Sequence, residues 1–312
     1  MYRKFAAFVL LSFIWLGLSS FETKPPKNLQ KQAIHKIVID AGHGGSDPGT
    51  KGKYSTEKDV SLAVALKLQK LLNDQIPEVE TYMTRTTDIY DKVTVKAQKA
   101  NAAKGDLFIA IHCNEAAPNR HSELIGYKTV TTKKKGKKIT KKVPQYKTWT
   151  TPSEVVGTET YIWGIAKKDE KEKAIQESLS ENDFIDSASA AELKNFNPTD
   201  PKQILAISLR TEQYSERSRN LALTVEEEFE KSGRVSRGAK QRNEKGIWVL
   251  QATNMPAILI EIGFLSNPEE EDYLNSESGQ TEVANSIVKA IRRYKFSLDN
   301  KLNKPGKTNS NK

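Results

Sequence analysis

Short apolar runs alternate with amphipathic stretches through the first third of the chain. Residues 36–40 (Lys-Ile-Val-Ile-Asp) form one such run and lead into a glycine-rich turn at 42–52. Residues 56–73 place Val60, Ala63, Val64, Leu68 and Leu71 on one side, which predicts a helix. Thr56 is its expected N-cap, and Asp59, three residues on, makes a partial capping box. A second strand is expected at 79–84 and a second helix at 93–103, stopped by Lys104-Gly105-Asp106. A third strand follows at 107–112. Strands alternating with helices at these spacings predict a single α/β domain with a mixed, mainly parallel sheet flanked by helices.

The regular pattern then breaks. Residues 118–156 are polar and basic, with Lys133, Lys134, Lys135, Lys137, Lys138, Lys141 and Lys142 close together, and read as a surface hairpin or loop. A strand is expected at 157–163. Residues 166–201 are polar, with isolated Phe184, Ile185, Leu193 and Phe196, and read as an insertion. A helix resumes at 208–228, followed by a Gly/Arg turn and strands at 246–250 and 257–261. A charged turn and helix start at 268, a closing helix spans 282–294, and the tail at 298–312 is expected to be disordered.

The chain of 312 residues carries a net charge of +10, and its polar, lysine-rich ends dilute the apolar fraction to 37%. Residues 1–20 read as an export signal: Arg3 and Lys4, then an apolar stretch to Leu18, then small residues. That stretch is short for a membrane span, which takes about 20 apolar residues, so membrane attachment is expected only if the signal is retained. The predicted location is the periplasm or cell envelope. Residues 21–35 form a polar linker. Cys113 is the only cysteine, so no internal disulfide forms. It follows His112 on a strand and should face the opposite side, as a small buried hydrophobe. The lysine cluster suits a polyanion such as an anionic wall polymer or lipid surface. Nucleic acid is not expected as a partner, since aromatic residues that would stack bases are not interleaved with the lysines.

Four patches carry the chemistry. They are 37–45 (Ile-Val-Ile-Asp-Ala-Gly-His-Gly-Gly), Glu57, 107–112 (Leu-Phe-Ile-Ala-Ile-His) and 257–264 (Ala-Ile-Leu-Ile-Glu-Ile-Gly-Phe). Three of them are apolar strands ending on His43, His112 or Glu261. Two imidazoles and a carboxylate make an open zinc site, and a second carboxylate beside it can act as a base. Each piece alone has a plain reading. A histidine in a turn or at a strand end is often structural, and an acid such as Glu57 suits a helix N-terminus. Glu261 interrupts an apolar run, so burial should raise its pKa toward the range of a general base; the rival is a buried ion pair with a residue such as Arg85. Asp40, Asp47 and Asn114 are candidates to orient the imidazoles. Arg85 is a candidate to pair with an acid or to bind a substrate carboxylate.

Together these stretches resemble the zinc-dependent N-acetylmuramoyl-L-alanine amidases of the Amidase_3 family. The likeness rests on 43–49 (His-Gly-Gly-Ser-Asp-Pro-Gly), 57–60 (Glu-Lys-Asp-Val), 84–88 (Thr-Arg-Thr-Thr-Asp) and 100–114. It continues through 157–161 (Gly-Thr-Glu-Thr-Tyr) and 255–267. These cover most of 37–294 in family order; Cys113, where Ala is more usual, and the two insertions depart from it. The resemblance implies one Zn2+ per chain held by His43, Glu57 and His112, with Glu261 as the catalytic glutamate. It implies a catalytic domain at 36–297 acting on peptidoglycan, at the amide joining N-acetylmuramic acid to L-alanine, in wall remodelling or daughter-cell separation. Some members carry an inserted helix over the zinc that a partner protein moves, and 166–201 is placed where such an element and its activator would act. The site chemistry alone also admits a zinc peptidase or deacetylase, and an inactive wall-binding module is a third possibility.

Overall fold

The structure, a computed structural model, describes residues 34–134, 136–180, 200–244 and 246–302. The expected signal, nearly all of the linker, residues 181–199 of the second insertion and the end of the tail lie outside them.

Six strands build the main sheet. β1 (Lys36–Ala41) lies between β2 (Glu80–Met83) and β3 (Leu107–Asn114), parallel to both, and β3 is parallel to β8 (Ala257–Phe264). On the far side of β8, β6 (Thr158–Ile162) is antiparallel to it, and β7 (Ser236–Gln241) is parallel to β6. The order is therefore β2-β1-β3-β8-β6-β7, a mixed and mainly parallel sheet.

Side chains alternate across this sheet. Ile37, Ile39, Ile109, Ile111, Ile258 and Ile260 face α1 (Glu57–Gln75), α4 (Pro201–Lys231) and α7 (Glu277–Leu302) in one apolar layer. Val38, Phe108, Ala110, Ala257 and Leu259 face α2 (Val93–Ala102) and the short α5 (Trp248–Ala252) in the other. Central strands covered on both sides need apolar residues at every position, which is why they read as unbroken hydrophobic runs. Each fully buried Ile or Leu contributes about 1.5–3 kcal/mol. Cys113 is buried in the first layer, on the face opposite His112, and burial pushes its thiol pKa well up.

Several local expectations change. Residues 248–252 form helix α5 rather than a strand, since a short apolar run does not fix its own period. Residues 236–241 (Ser-Arg-Gly-Ala-Lys-Gln) form edge strand β7 rather than a turn; a polar edge strand carries no apolar alternation. α4 starts at Pro201, ahead of 208, because Asp200 caps it by accepting from the Lys202 amide at 2.9 Å. α7 runs on to Leu302 and buries Leu298, so order continues past the expected start of the tail. The linker ends early: Ile34 is buried in the core and the His35 amide donates to Asp106. Thr56 does sit at the N-cap of α1, but its hydroxyl donates to Asp59 at 2.5 Å and caps no amide.

The basic insertion is a long antiparallel ribbon, β4 (Asn119–Lys134) and β5 (Lys137–Thr151), forming a sheet of its own. The second insertion includes α3 (Lys168–Ser180), preceded by a 3-10 turn at Ile165–Lys167. The charged segment after β8 is α6 (Pro268–Asn275).

Candidate active site

The carboxyl ends of β1, β3 and β8 lie side by side, the edge at which parallel α/β sheets bind ligands. His43 stands just past β1 with φ 57°, in the left-handed region. Holding a non-glycine residue there costs about 1–3 kcal/mol. A Gly44–Asp47 bridge and the Asp47 carboxylate, 2.8 Å from His43 Nδ1, fix the turn. That contact leaves Nε2 of His43 directed at Glu57, 3.1 Å away. His112 approaches the other oxygen of Glu57 through Nδ1 at 2.8 Å. Glu57 is the first residue of α1, and amides of Thr50 and Cys113 also donate to its carboxylate at 2.8 and 3.0 Å.

One ligand atom each from His43, Glu57 and His112 lies within 4.8 Å of the others. Burial disfavours the charge on Glu57, but the bonds to His112 and His43 outweigh it and hold its pKa far below the usual carboxylate range. Burial likewise opposes protonation of His43, while Glu57 and Asp47 overcome it and lift the pKa to about 9. Two glycines make the room. A Cβ on Gly42 would come within 2.6 Å of the His112 ring. On Gly49, where φ is +63°, it would fall 2.4 Å from Glu57 Oε2.

Glu261 shares a rung with His112 across the β3–β8 pair and with Glu159 across the β8–β6 pair. It is buried, and burial raises its pKa to about 7. Its Oε2 has no hydrogen-bond partner among the described residues. Among the described residues its ion-pair partner is Arg242, at 3.9 Å from Oε1, a loose contact from a half-exposed side chain. Glu159 is buried too, yet Lys240, Tyr161 and Arg237 bond to its carboxylate and bring its pKa down to about 2. Two neighbouring acids are thus held in opposite states, one ionised and one ready to carry a proton.

The remaining candidates divide. Asp47 lies against an imidazole, its Oδ2 2.8 Å from His43 Nδ1. Asp40 turns away and bonds Thr84 Oγ1 at 2.5 Å and Lys96 Nζ at 3.0 Å, because its strand position points it under α2. Asn114 donates to Glu159, not to a histidine, at 3.0 Å. Arg85 is buried and, among the described residues, forms no ion pair with Glu261. Its guanidinium donates to carbonyl oxygens of Ala41, Gly42, Lys58 and Thr87, clamping the turn that carries His43. Lys96 assists by donating to the Ala41 carbonyl at 2.6 Å. The sequence reading missed Lys96, Glu159 and Arg242. Glu159 had a readable signal, a carboxylate inside a buried strand, as at Glu261.

Two ring nitrogens and one carboxylate, partly buried, with the His43 ring held against Asp47, suit a divalent ion with nitrogen–oxygen preference. The profile of the N-acetylmuramoyl-L-alanine amidase family, Amidase_3, matches residues 37–293. The chain is 30% identical over 260 residues to N-acetylmuramoyl-L-alanine amidase AmiC of Escherichia coli O6:H1, covering 83% of this chain and 52% of that one. It is 28% identical over 261 residues to AmiC of Neisseria meningitidis serogroup B, with 83% and 52% coverage. The chain therefore spans about half the length of these two relatives. A crystal structure of the N-acetylmuramoyl-L-alanine amidase from Clostridium difficile 630 superimposes with a TM-score of 0.52 at 26% identity, covering 85% of this chain and 99% of that one. With the profile running from β1 into α7 and so spanning every residue of this edge, the chain belongs to the Amidase_3 family of N-acetylmuramoyl-L-alanine amidases.

Proposed function

We propose that the chain hydrolyses the amide between the lactyl group of N-acetylmuramic acid and L-alanine in peptidoglycan, with one zinc ion per chain. The observation that carries this reading is the convergence of His43, Glu57 and His112 within 4.8 Å, with Glu261 on the same rung as His112. His43, Glu57 and His112 would hold the metal. When bound, zinc supplies Lewis-acid polarisation of a carbonyl and lowers the pKa of water. Glu261 takes a proton from the attacking water at its unpartnered Oε2 and returns it to the departing amine nitrogen. A base whose pKa lies near 7 is suited to both transfers. Asp47 keeps His43 in one tautomer with Nε2 free to ligate.

An enzyme acting on peptidoglycan works in the cell envelope, in wall remodelling or daughter-cell separation, and residues 1–20 would direct it there. We assign 36–297 as the catalytic unit. Residues 166–201 are our candidate for regulation by an activator protein. Their described helix, α3, is anchored by Lys171, which is fully buried and donates to carbonyl oxygens of Leu250 (2.8 Å), Met255 (3.1 Å) and Thr253. These carbonyls lie just before β8, the strand that carries Glu261.

Digestion of purified muropeptides followed by mass spectrometry tests the reading. The expected products are a free stem peptide with an L-alanine amine and a glycan with an intact lactyl carboxylate. Cleavage inside the stem peptide or loss of acetate would assign the site to a different amide. No product and no bound zinc would leave a wall-binding module.

A further inference from the structure

We propose that the β4–β5 ribbon is a tether that holds the carboxylate-bearing glycan–peptide polymer of the wall beside the catalytic edge. The identity of the polymer rests on the function proposed above; the need for a polyanion does not.

Ten lysines and arginines stand against one glutamate between residues 119 and 151, so this insertion accounts for nearly all of the chain's net charge of +10. The register makes that charge costly. Lys133 lies directly opposite Lys138, and Lys134 opposite Lys137. Like charges facing each other across an antiparallel pair destabilise it. A two-stranded ribbon outside a larger sheet is already marginal in water. Among the described residues, none of these four lysines has an ion-pair partner, and β5 is exposed along its whole length. A polyanion laid along the ribbon would turn this repulsion into attraction, at separations inside a Debye length of about 8–10 Å.

The placement and the apolar residues decide which polyanion. The ribbon leaves the main fold shortly after Asn114, at the end of β3 that carries His112, and returns into β6, which carries Glu159. Near its base the indole of Trp149 stacks on His121, with centroids 5.4 Å apart and planes 17° apart. Tyr127 and Tyr146 are exposed further out, beside Lys128 and Lys147, so aromatic rings do stand among the basic residues, contrary to the sequence expectation. Aromatic faces of this kind pack against sugar rings. A membrane-binding ribbon would gather its apolar side chains on one face. Here alternation and the bulge between Leu124 and Gly126 put Trp149 and Val143 on one face and Leu124 and Tyr127 on the other. Lysines occur on both faces, as suits a chain-like polymer that can be gripped from either side.

The test compares the full chain with a variant carrying Lys133→Gln, Lys134→Gln, Lys137→Gln, Lys138→Gln, Lys141→Gln and Lys142→Gln. These exposed positions lie outside the core, and circular dichroism verifies the fold. Co-sedimentation with purified sacculi should fall at least about tenfold in the variant at low salt, and wild-type binding should fall as salt rises from about 0.05 to about 0.5 M. Sacculi whose carboxylates are blocked as amides should not retain the wild type. Hydrolysis of a small soluble muropeptide should be the same for both proteins within about twofold, because electrostatic steering by the ribbon matters only for the polymer. Equal sedimentation of the two proteins, or wild-type binding indifferent to salt, overturns the proposal. So does preferential pelleting with phosphatidylglycerol vesicles. Salt-dependent binding by a protein that cleaves no muropeptide sustains the tether and rejects the proposed activity instead.

Discussion

His112 and Glu261 sit opposite each other on adjacent parallel strands, β3 and β8, one an imidazole facing Glu57 and the other a buried carboxyl without a hydrogen bond to its Oε2. On the proposed reading, the rung places proton transfer next to metal binding without making Glu261 a ligand. Replacing Glu261→Gln should therefore leave about one zinc per chain while turnover falls by about 10²–10⁴-fold, the range for loss of a positioned acid–base group. Elemental analysis alongside muropeptide hydrolysis separates the two effects. Loss of zinc in the variant would move Glu261 into the ligand set.

The same carboxyl should weaken the fold as pH rises. Its pKa is raised from 4.5 to about 7, so the folded state binds the proton more tightly than the unfolded chain. Its contribution is fully present below about pH 4.5 and disappears as pH climbs through about 7, a change of about 3 kcal/mol. Urea denaturation of metal-free protein, with chelator present, should show the wild type losing stability over that window relative to Glu261→Gln. Parallel curves for the two would contradict the assignment.

Among the described residues the Asp47 carboxylate bonds His43 Nδ1 and the Gly49 amide and no other acid or histidine of the candidate site, so its effect should be on metal affinity. Asp47→Asn should weaken zinc binding by about 10–100-fold, the usual cost of losing a group that orients a ligating histidine. Competition with a zinc-binding dye measures it directly. Unchanged affinity would mean that the turn around His43 is rigid without the carboxylate.

Lys171 joins the second insertion to the segment before β8. Lys171→Met removes the charged donor to the buried carbonyls of Leu250, Thr253 and Met255, of which Leu250 keeps only the Thr253 hydroxyl at 3.3 Å; each carbonyl left unpaired costs about 1–3 kcal/mol. Limited proteolysis should then cut within α3 sooner than in the wild type. Deleting residues 168–197 should raise the hydrolysis rate if the segment restrains the site. A folded deletion variant with an unchanged or lower rate would remove that regulatory role.

The central strands were legible as unbroken apolar runs, and Glu261 as a carboxylate inside Ala-Ile-Leu-Ile. His43, Glu57 and His112 each have a plain structural reading alone, and it was their combination and the family resemblance that singled them out. Residues whose partners are backbone atoms were not legible. Arg85 looks on paper like a substrate contact, yet it is spent on carbonyl oxygens of the His43 turn. Asp40 has the right neighbours in sequence and the wrong side of the strand in space. β7 was invisible because an edge strand of Ser, Arg, Gly, Ala, Lys and Gln buries too little to leave a pattern. α4 was read too short because its first turns, with Ile204 and Leu205 exposed, do not follow the buried stripe of its later part.

β3 and β8 are neighbours in space, but the ribbon, α3, α4 and both outer strands β6 and β7 are threaded between them in sequence. Whatever is added to or taken from that long excursion leaves the spacing of His112 and Glu261 to the hydrogen bonds of one strand pair. Changes in that excursion need not alter the register that sets His112 against Glu261. A lineage can exchange such appendages while inheriting the same paired edge.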